Sequence, residues 1–216
     1  PDRGKVLDAE ALERAASFYR YLDVGGDAIP YRTLPGAGAK GAYFTRGSGH
    51  DKHGRYTEDA EAYTEVVDRL RRKIDGAAEA VPSPVVVTRP GARYGLVTVG
   101  SCDAAVREAF DEFEVEGLLF DYLRVRGFPF SRKVAEFLEA HGLNFVVEQN
   151  RDAQLHSMLL LETPSTRERL ASVRYYGGLP MSAHHVIEGI RAHLSERAGP
   201  VVPEDVGARR LAEGSA

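Results

Sequence analysis

The sequence predicts an α/β fold in which a mostly parallel sheet carries helices on both faces. From residue 84 onward, short runs rich in Val, Leu and Phe are followed by longer segments whose apolar residues recur at helical spacing. Helical crossovers between strongly apolar strands are typical of parallel sheets that are buried on both faces. These two observations indicate the fold class before any motif is considered.

The first two predicted strands follow each other directly, and the later strands alternate with helices. The predicted strands are PVVVTR (84–89), YGLVTVGS (94–101), FDYLRV (120–125), NFVVEQN (144–150) and LASVRYYGG (170–178). Helices are predicted over 103–116, from Ser131 to Gly142, over 153–162, and from Ser182 onward.

The region before residue 57 has little regular periodicity. One helix is predicted from Ala9 to Tyr19, and the segment 24–44 that follows is crowded with Gly and Pro, which favour turns. Because a segment this long without its own periodicity is uncommon inside a self-contained domain, we expect residues 1–56 to pack on something else.

The next segment, 57–75, is predicted to be an amphipathic helix that Thr57 caps. Its apolar stripe consists of Tyr63, Val66, Val67, Leu70 and Ile74. A basic cluster, Arg69, Arg71, Arg72 and Lys73, lies towards the end of the helix. We interpret the cluster as a solvated end that compensates the helix dipole, and an anion site is the alternative.

Composition narrows the function classes. A chain of 216 residues suffices for one domain, or for one domain and part of another, and a start at Pro1 is expected of a piece of a longer polypeptide. A net charge of -4 provides no basic excess for nucleic acid. The apolar runs are too short to cross a membrane. The single cysteine, Cys102, excludes an internal disulfide and a four-thiolate cluster, and it fits a reducing cytoplasm.

Two motifs invite a ligand interpretation. GAGAKG (36–41) fits G-x-G-x-x-G, but no predicted strand precedes it and no helix follows it, so we do not interpret it as a nucleotide site. Cys102 lies at the carboxyl end of a predicted strand, where a nucleophile or a buried structural thiol are the alternatives. We favour the buried thiol, because no basic partner can be identified.

Polar residues follow the predicted strands at the edge where open α/β sheets bind ligands. Glu148, Gln149, Asn150 and Arg151 emerge together after one strand, and Ser101 follows another. A solvated turn and a binding site or subunit interface remain equally open interpretations.

The stretch RGSGHDKHGRYTED (46–59) has the composition of a metal site but not the rigidity. His50, Asp51 and His53 are close in sequence, yet the surrounding glycines predict a mobile loop without a third ligand in fixed register. We therefore do not predict a metal here.

Several separated motifs together resemble one known family. YRTLPG, GAYFTRGSGHDKHGRYTED, LRVRGFPF and VVEQNRDAQ occur in this order and resemble the alpha subunit of 2-oxoacid:ferredoxin oxidoreductases, in particular the 2-oxoglutarate type. The resemblance runs from about residue 2 to residue 193.

The resemblance implies an activity that residue spacing alone does not. Members oxidatively decarboxylate a 2-oxoacid with thiamine diphosphate and Mg²⁺, transfer the acyl group to coenzyme A, and pass electrons through an iron–sulfur cluster to ferredoxin. The beta subunit carries the thiamine diphosphate and the cluster. The resemblance thus implies a cytoplasmic hetero-oligomer that binds neither nucleic acid nor membrane.

The resemblance also implies a domain organisation. Residues 84–197 resemble the C-terminal domain of transketolase, and residues 1–56 resemble the end of the pyrimidine-binding domain. Residues 57–83 would connect the two, and residues 198–216 would form a flexible tail.

The chain also departs from the family. It lacks the Y-P-I-T-P-S-S motif that meets substrate and cofactor, so we expect a subunit fragment that is inactive alone, holds no cofactor itself and has an architectural role. No catalytic residue is assigned. The candidates for interdomain, intersubunit or site-edge contacts are Arg46, His50, Asp51, Arg55, Ser101, Glu148, Gln149, Asn150 and Arg151. The alternative is a free-standing α/β module that binds an anion or a partner without redox chemistry.

Overall fold

The computed structural model describes residues 3–44 and 48–198. The chain divides into two compact units, Pro1–Val81 and Pro82–Ala216. The helix that was predicted as a connection belongs to the first unit. The assignment of the two units to particular family domains stays a prediction.

The first unit begins with two short strands and a short helix. Strand β1 (Val6–Leu7), helix α1 (Ala9–Arg14) and strand β2 (Arg32–Thr33) follow in order, and β1 pairs with β2 in parallel. The Asp8 side chain caps α1 by accepting from the backbone N–H of Ala11 at 2.8 Å.

The prediction that the first helix extends to Tyr19 is wrong. The helix ends at Arg14, and Ala15 is already in extended conformation. The aromatic rings that follow contact other parts of the unit instead: Phe18 lies 6.0 Å from Tyr43, and Tyr19 lies 4.7 Å from His53, measured between ring centroids. These tertiary contacts outweigh the local helix propensity of the segment.

Helix α2 (Ala60–Gly76) begins after the predicted residue, because Asp59 and not Thr57 is its cap. Asp59 accepts from the backbone N–H of Ala62 at 2.8 Å, while the Thr57 hydroxyl accepts from the N–H of Asp59 at 3.0 Å. The predicted apolar stripe is mostly exposed. Only Val66 of that stripe is buried, and the second buried residue of α2 is Arg69.

In its described part, residues 82–198, the second unit contains one five-stranded sheet and four α-helices. In chain order these are β3 (Val85–Val87), β4 (Tyr94–Val99), α3 (Cys102–Val115), β5 (Phe120–Val125), α4 (Arg132–Ala140), β6 (Asn144–Glu148), α5 (Gln154–Glu162), β7 (Leu170–Arg174) and α6 (Ala183–Ala198). The strand order is β3-β5-β4-β6-β7. Only β3 is antiparallel to its neighbour, so the predicted class of a mostly parallel sheet is confirmed.

Neighbouring residues of the central strands point to opposite faces, as the two-residue period of a strand requires. Leu96 and Phe145 belong to a core cluster that contains residues of α3 and α6, whereas Val97 and Val146 belong to a cluster that contains residues of α4 and α5. Both faces of the sheet are therefore covered by helices, which explains why the strands are nearly continuous in apolar residues.

Candidate functional site

The carboxyl ends of β4, β5 and β6 form one edge of the second unit, because these three strands are parallel and adjacent. The chain leaves β4 towards the face covered by α3, whereas it leaves β5 and β6 towards the face covered by α4 and α5. Connections that diverge in this way open a crevice at the strand ends, which is the usual ligand position of open α/β sheets.

A cavity of about 630 Å³ lies at this edge. Its walls are mainly apolar, and the rings of Phe128 and Phe130 meet edge to face with centroids 5.3 Å apart. Two cations, Arg124 and Arg126, line the cavity together with Glu148, Asn150 and Gln154. A mostly apolar cavity with a few convergent polar groups is the usual form of a small-molecule site.

Glu148 is fully buried at the end of β6. Its carboxylate accepts from the backbone N–H groups of Leu155 at 2.8 Å and His156 at 3.1 Å, which belong to the first turn of α5, and from the side-chain amide of Asn150. A carboxylate in this position satisfies the free N–H groups of a helix start and complements its dipole. Glu148 therefore replaces the cap that Ala153 lacks.

The neighbouring polar residues hold loops at the same edge. Asn150 Oδ1 accepts from the N–H of Asp152 at 3.0 Å, and Gln149 Nε2 donates to the carbonyl oxygen of Leu179 at 2.9 Å. Arg151 is exposed and pairs with Asp152 at 2.7 Å. The structure thus brings the predicted group 148–151 together at one edge, although Glu148, Gln149 and Asn150 use their side chains within the unit.

The turn between β4 and α3 contains the other predicted strand-end residues. Ser101 is exposed and precedes α3 without a side-chain capping bond. Cys102 is buried, and burial raises the pKa of its thiol. A raised pKa disfavours the thiolate, so the interpretation as a structural thiol is supported.

A polar cluster beside this turn was not identified from the sequence. Asp103 accepts from the hydroxyl of Tyr122 at 2.6 Å and from Arg107 Nε at 3.1 Å, and Arg124 Nη1 lies 3.4 Å away. Burial acts to raise the pKa of Asp103, but these hydrogen bonds and charges together lower it. Arg124 also donates to the carbonyl oxygen of Gly100 at 3.0 Å, so β5 is tied to the turn after β4.

The stretch 46–59 forms a tight turn in its described part, and Arg46 lies outside the described residues. Asp51 Oδ1 accepts from the N–H groups of His53 and Arg55, both at 2.9 Å. His50 stacks on Tyr21 with ring centroids 3.9 Å apart. Burial acts to raise the pKa of Asp51, but the two backbone hydrogen bonds lower it overall. Asp51 thus organises the loop by a local side-chain-to-backbone pattern.

Within residues 3–44 and 48–198, no group of three or more His, Cys, Asp or Glu side chains is arranged to hold a metal ion. The same part of the chain contains no helix that is both long and apolar enough to span a membrane.

The chain matches no established family model. The 2-oxoacid:ferredoxin oxidoreductase subunit alpha of Saccharolobus solfataricus is 28% identical over 162 residues, which are 72% of this chain and 25% of that protein. The chain therefore spans about a quarter of the length of this curated relative.

Solved structures show the same likeness at the level of the fold. The 2-oxoglutarate:ferredoxin oxidoreductase from Magnetococcus marinus, solved with 2-oxoglutarate, coenzyme A and succinyl-CoA bound, superimposes with a TM-score of 0.72 at 20% identity. The match covers 84% of this chain and 32% of that chain. A split-gene transketolase matches 52% of this chain at 18% identity with a TM-score of only 0.42, which is too low to support an argument.

At the level of the fold, the chain is therefore an α/β protein similar to part of the 2-oxoglutarate:ferredoxin oxidoreductase structure. More particularly, the chain resembles the alpha subunit of 2-oxoacid:ferredoxin oxidoreductases, as its sequence motifs predict.

Proposed function

We propose that the chain is part of the alpha subunit of a 2-oxoacid:ferredoxin oxidoreductase that converts 2-oxoglutarate and coenzyme A to the acyl-CoA in the cytoplasm. The observation that supports this proposal most directly is the length of the alignment with the Saccharolobus solfataricus subunit. The alignment covers 162 residues, which is more than either compact unit contains, so it includes parts of both units. The similarity therefore extends beyond the α/β fold of the second unit.

The groups that carry the redox chemistry in such an enzyme do not fit the residues of this chain. An iron–sulfur cluster needs several thiolates, whereas the sequence has one cysteine, which is buried. Within the described residues, no group of three or more His, Cys, Asp or Glu side chains could hold a metal ion by itself. We therefore assign thiamine diphosphate, Mg²⁺ and the cluster to the beta subunit and to parts of the enzyme beyond this chain. Ferredoxin is the proposed electron acceptor.

The proposed role of this chain is architectural. Glu148 and Asn150 fix the start of α5, and Arg124 fixes the turn after β4, so the strand-end edge has a defined shape. Exposed groups such as Ser101 and Arg151 at that edge are proposed to contact a neighbouring domain or the beta subunit. The loop with Arg46, His50, Asp51 and Arg55 is proposed to make such contacts in the other unit.

A specific observation favours the second candidate, a free-standing binding module. The cavity of about 630 Å³ at the strand ends has the size and the lining of a small-molecule site and carries two arginine side chains. A module of this kind would bind an anionic ligand or partner without any electron transfer.

The two candidates differ in where thiamine diphosphate binds. We would titrate thiamine diphosphate with Mg²⁺ into the isolated chain and into a complex of the full-length alpha subunit with its beta subunit. The proposal requires saturable binding to the complex and none to the isolated chain. Tight binding by the isolated chain would contradict the assignment of the cofactor to the beta subunit. If the full-length protein formed no complex with a beta subunit, the free-standing binding module would be favoured.

A further inference from the structure

The first unit contains a smaller, polar cavity of about 180 Å³ that the proposed function does not use. It lies between the middle of α2 and two loops. It is lined by Tyr21, Leu22, Asp23, Lys52, Glu65, Val66, Arg69 and Arg72. The basic cluster that the sequence places towards the end of α2 is therefore divided. Arg69 and Arg72 line the cavity, whereas Arg71 pairs with Asp75 at 3.0 Å on the exposed surface.

Two residues that line this cavity each have one buried polar atom without a hydrogen-bond partner among the described residues. Arg69 is 93% buried, since only 7% of it is exposed, and its Nε is one of these atoms although Nη1 donates to the carbonyl oxygen of Ala28 at 3.1 Å. Asp23 Oδ1 is the other, while Asp23 Oδ2 accepts from the N–H of Ala28 at 2.9 Å. Buried polar groups are nearly always paired. A bound group that accepts from Arg69 Nε and donates to Asp23 Oδ1 would satisfy both atoms.

The charges around the cavity favour an anion. Lys52 and Glu65 pair with each other at 3.1 Å, which leaves Arg69 and Arg72 against the single carboxylate of Asp23. Burial lowers the pKa of Arg69, and the nearby guanidinium groups of Arg20 and Arg72 lower it further. A buried guanidinium group with other cations beside it is stabilised when an oxyanion binds to it.

We propose that this cavity binds inorganic phosphate in a protonated form. Its oxygens would accept from Arg69 and Arg72, and a P–OH group would donate to Asp23 Oδ1. The volume accommodates an ion of this size and excludes a nucleotide or coenzyme.

The requirement for a donor distinguishes phosphate from similar anions. Between pH 7 and 8 inorganic phosphate keeps at least one P–OH, whereas a phosphomonoester with a second pKa of about 6 is largely deprotonated and sulfate carries no proton. Sulfate and methyl phosphate would therefore place an unprotonated oxygen against the Asp23 carboxylate. We expect inorganic phosphate to bind at least about tenfold more tightly than either, because a hydrogen bond to a charged group is lost.

The experiment is calorimetric titration of the chain with phosphate, sulfate and methyl phosphate at pH 8 and constant ionic strength. The variant Asp23→Asn offers an amide N–H in place of the carboxylate, so it should remove or invert the preference for phosphate over sulfate. Arg72→Gln, at an exposed position, should weaken phosphate binding at least about fivefold. Arg71→Gln, one residue away but outside the cavity, should leave it unchanged.

Either of two results would overturn the proposal. Equal binding of phosphate and sulfate that Arg72→Gln does not weaken would indicate an unspecific ionic effect. Absence of binding to the folded chain would indicate that the cavity contains only water, which can also bridge Arg69 and Asp23.

Discussion

The buried carboxylate of Glu148 accepts a hydrogen bond from the backbone N–H of Leu155 at 2.8 Å. This contact joins the last residue of strand β6 to the first turn of helix α5, where Ala153 provides no side-chain cap. The strand-end edge therefore depends on a side chain that belongs to the sheet rather than to the helix that it caps.

Removal of this carboxylate should destabilise the second unit. In Glu148→Ala the N–H groups of Leu155 and His156 lose their acceptor in a buried position, so we expect the free energy of unfolding to fall by about 2–4 kcal/mol. Urea unfolding of the chain measures this directly. Glu139→Ala, an exposed position on α4, is the control and should change the free energy by less than about 0.5 kcal/mol. Equal effects of the two substitutions would contradict the capping role.

Strand β4 should not tolerate a side chain at Gly95. A Cβ atom there would lie 2.1 Å from Asn144 Oδ1 and 2.9 Å from Phe137 Cε1, and a packed core yields little to such overlap. We expect Gly95→Ala to lower the free energy of unfolding by at least about 1–3 kcal/mol. The matched control is Gly142→Ala, where no atom lies within 4 Å of the added Cβ. Unfolding midpoints that are the same for both variants would show that β4 and β6 pack loosely enough to accommodate the added methyl group.

The pKa of Asp103 should depend on the hydroxyl of Tyr122. Burial acts to raise this pKa, and the hydrogen bonds from Tyr122 and Arg107 lower it below the ordinary value. A carboxyl with a lowered folded-state pKa stabilises the protein above its unfolded-state pKa of about 3.9, and this stability is lost as the pH falls through the folded-state value.

We therefore expect Tyr122→Phe to move the pKa of Asp103 upward and to reduce the stability that Asp103 contributes above pH ~4. Carboxyl carbon chemical shifts recorded against pH would report the change. Tyr94→Phe is the control, because the Tyr94 ring packs on Phe120 and makes no contact with Asp103 among those described; it should leave the pKa of Asp103 unaffected. An unchanged titration of Asp103 in the Tyr122→Phe protein would refute the assignment.

The loop that follows Gly49 should depend on Asp51 for its conformation and not on a metal. Asp51→Ala removes the acceptor of two backbone N–H groups and should lower the free energy of unfolding by about 1–2 kcal/mol. Asp51→Asn keeps the Oδ1 acceptor and should lower it by less. Thermal unfolding is measured with and without a chelator. If the chelator lowered the unfolding temperature of the original protein but not of either variant, a metal site would be indicated.

The fold was predictable from the sequence because the strands of the second unit are nearly continuous in apolar residues. Leu96 and Val97, or Phe145 and Val146, can be adjacent and both buried only when both faces of the sheet are covered. The ends of the strands were predictable for the same reason. Glu148 and Asn150 were therefore expected at the carboxyl-end edge of the sheet, where the structure places them.

Other features depended on contacts between distant residues. The pairing of Asp103 with Tyr122 joins the start of α3 to the neighbouring strand β5, and no local pattern indicates it. The exposure of Tyr63 and Leu70 was missed because periodicity identifies an apolar stripe but not what covers it. For α1, packing of Phe18 and Tyr19 outside the helix ended it early.

The central claim is that the chain is part of a 2-oxoacid:ferredoxin oxidoreductase, and anaerobic reduction of a viologen dye tests it most directly. The full-length protein would be co-expressed with its candidate partner subunit. The complex would be shown to carry cofactors and supplied with each of several 2-oxoacids with and without coenzyme A. We expect dye reduction that requires both 2-oxoglutarate and coenzyme A. A loaded complex that reduces no dye with any 2-oxoacid would contradict the account and leave a likeness of fold alone.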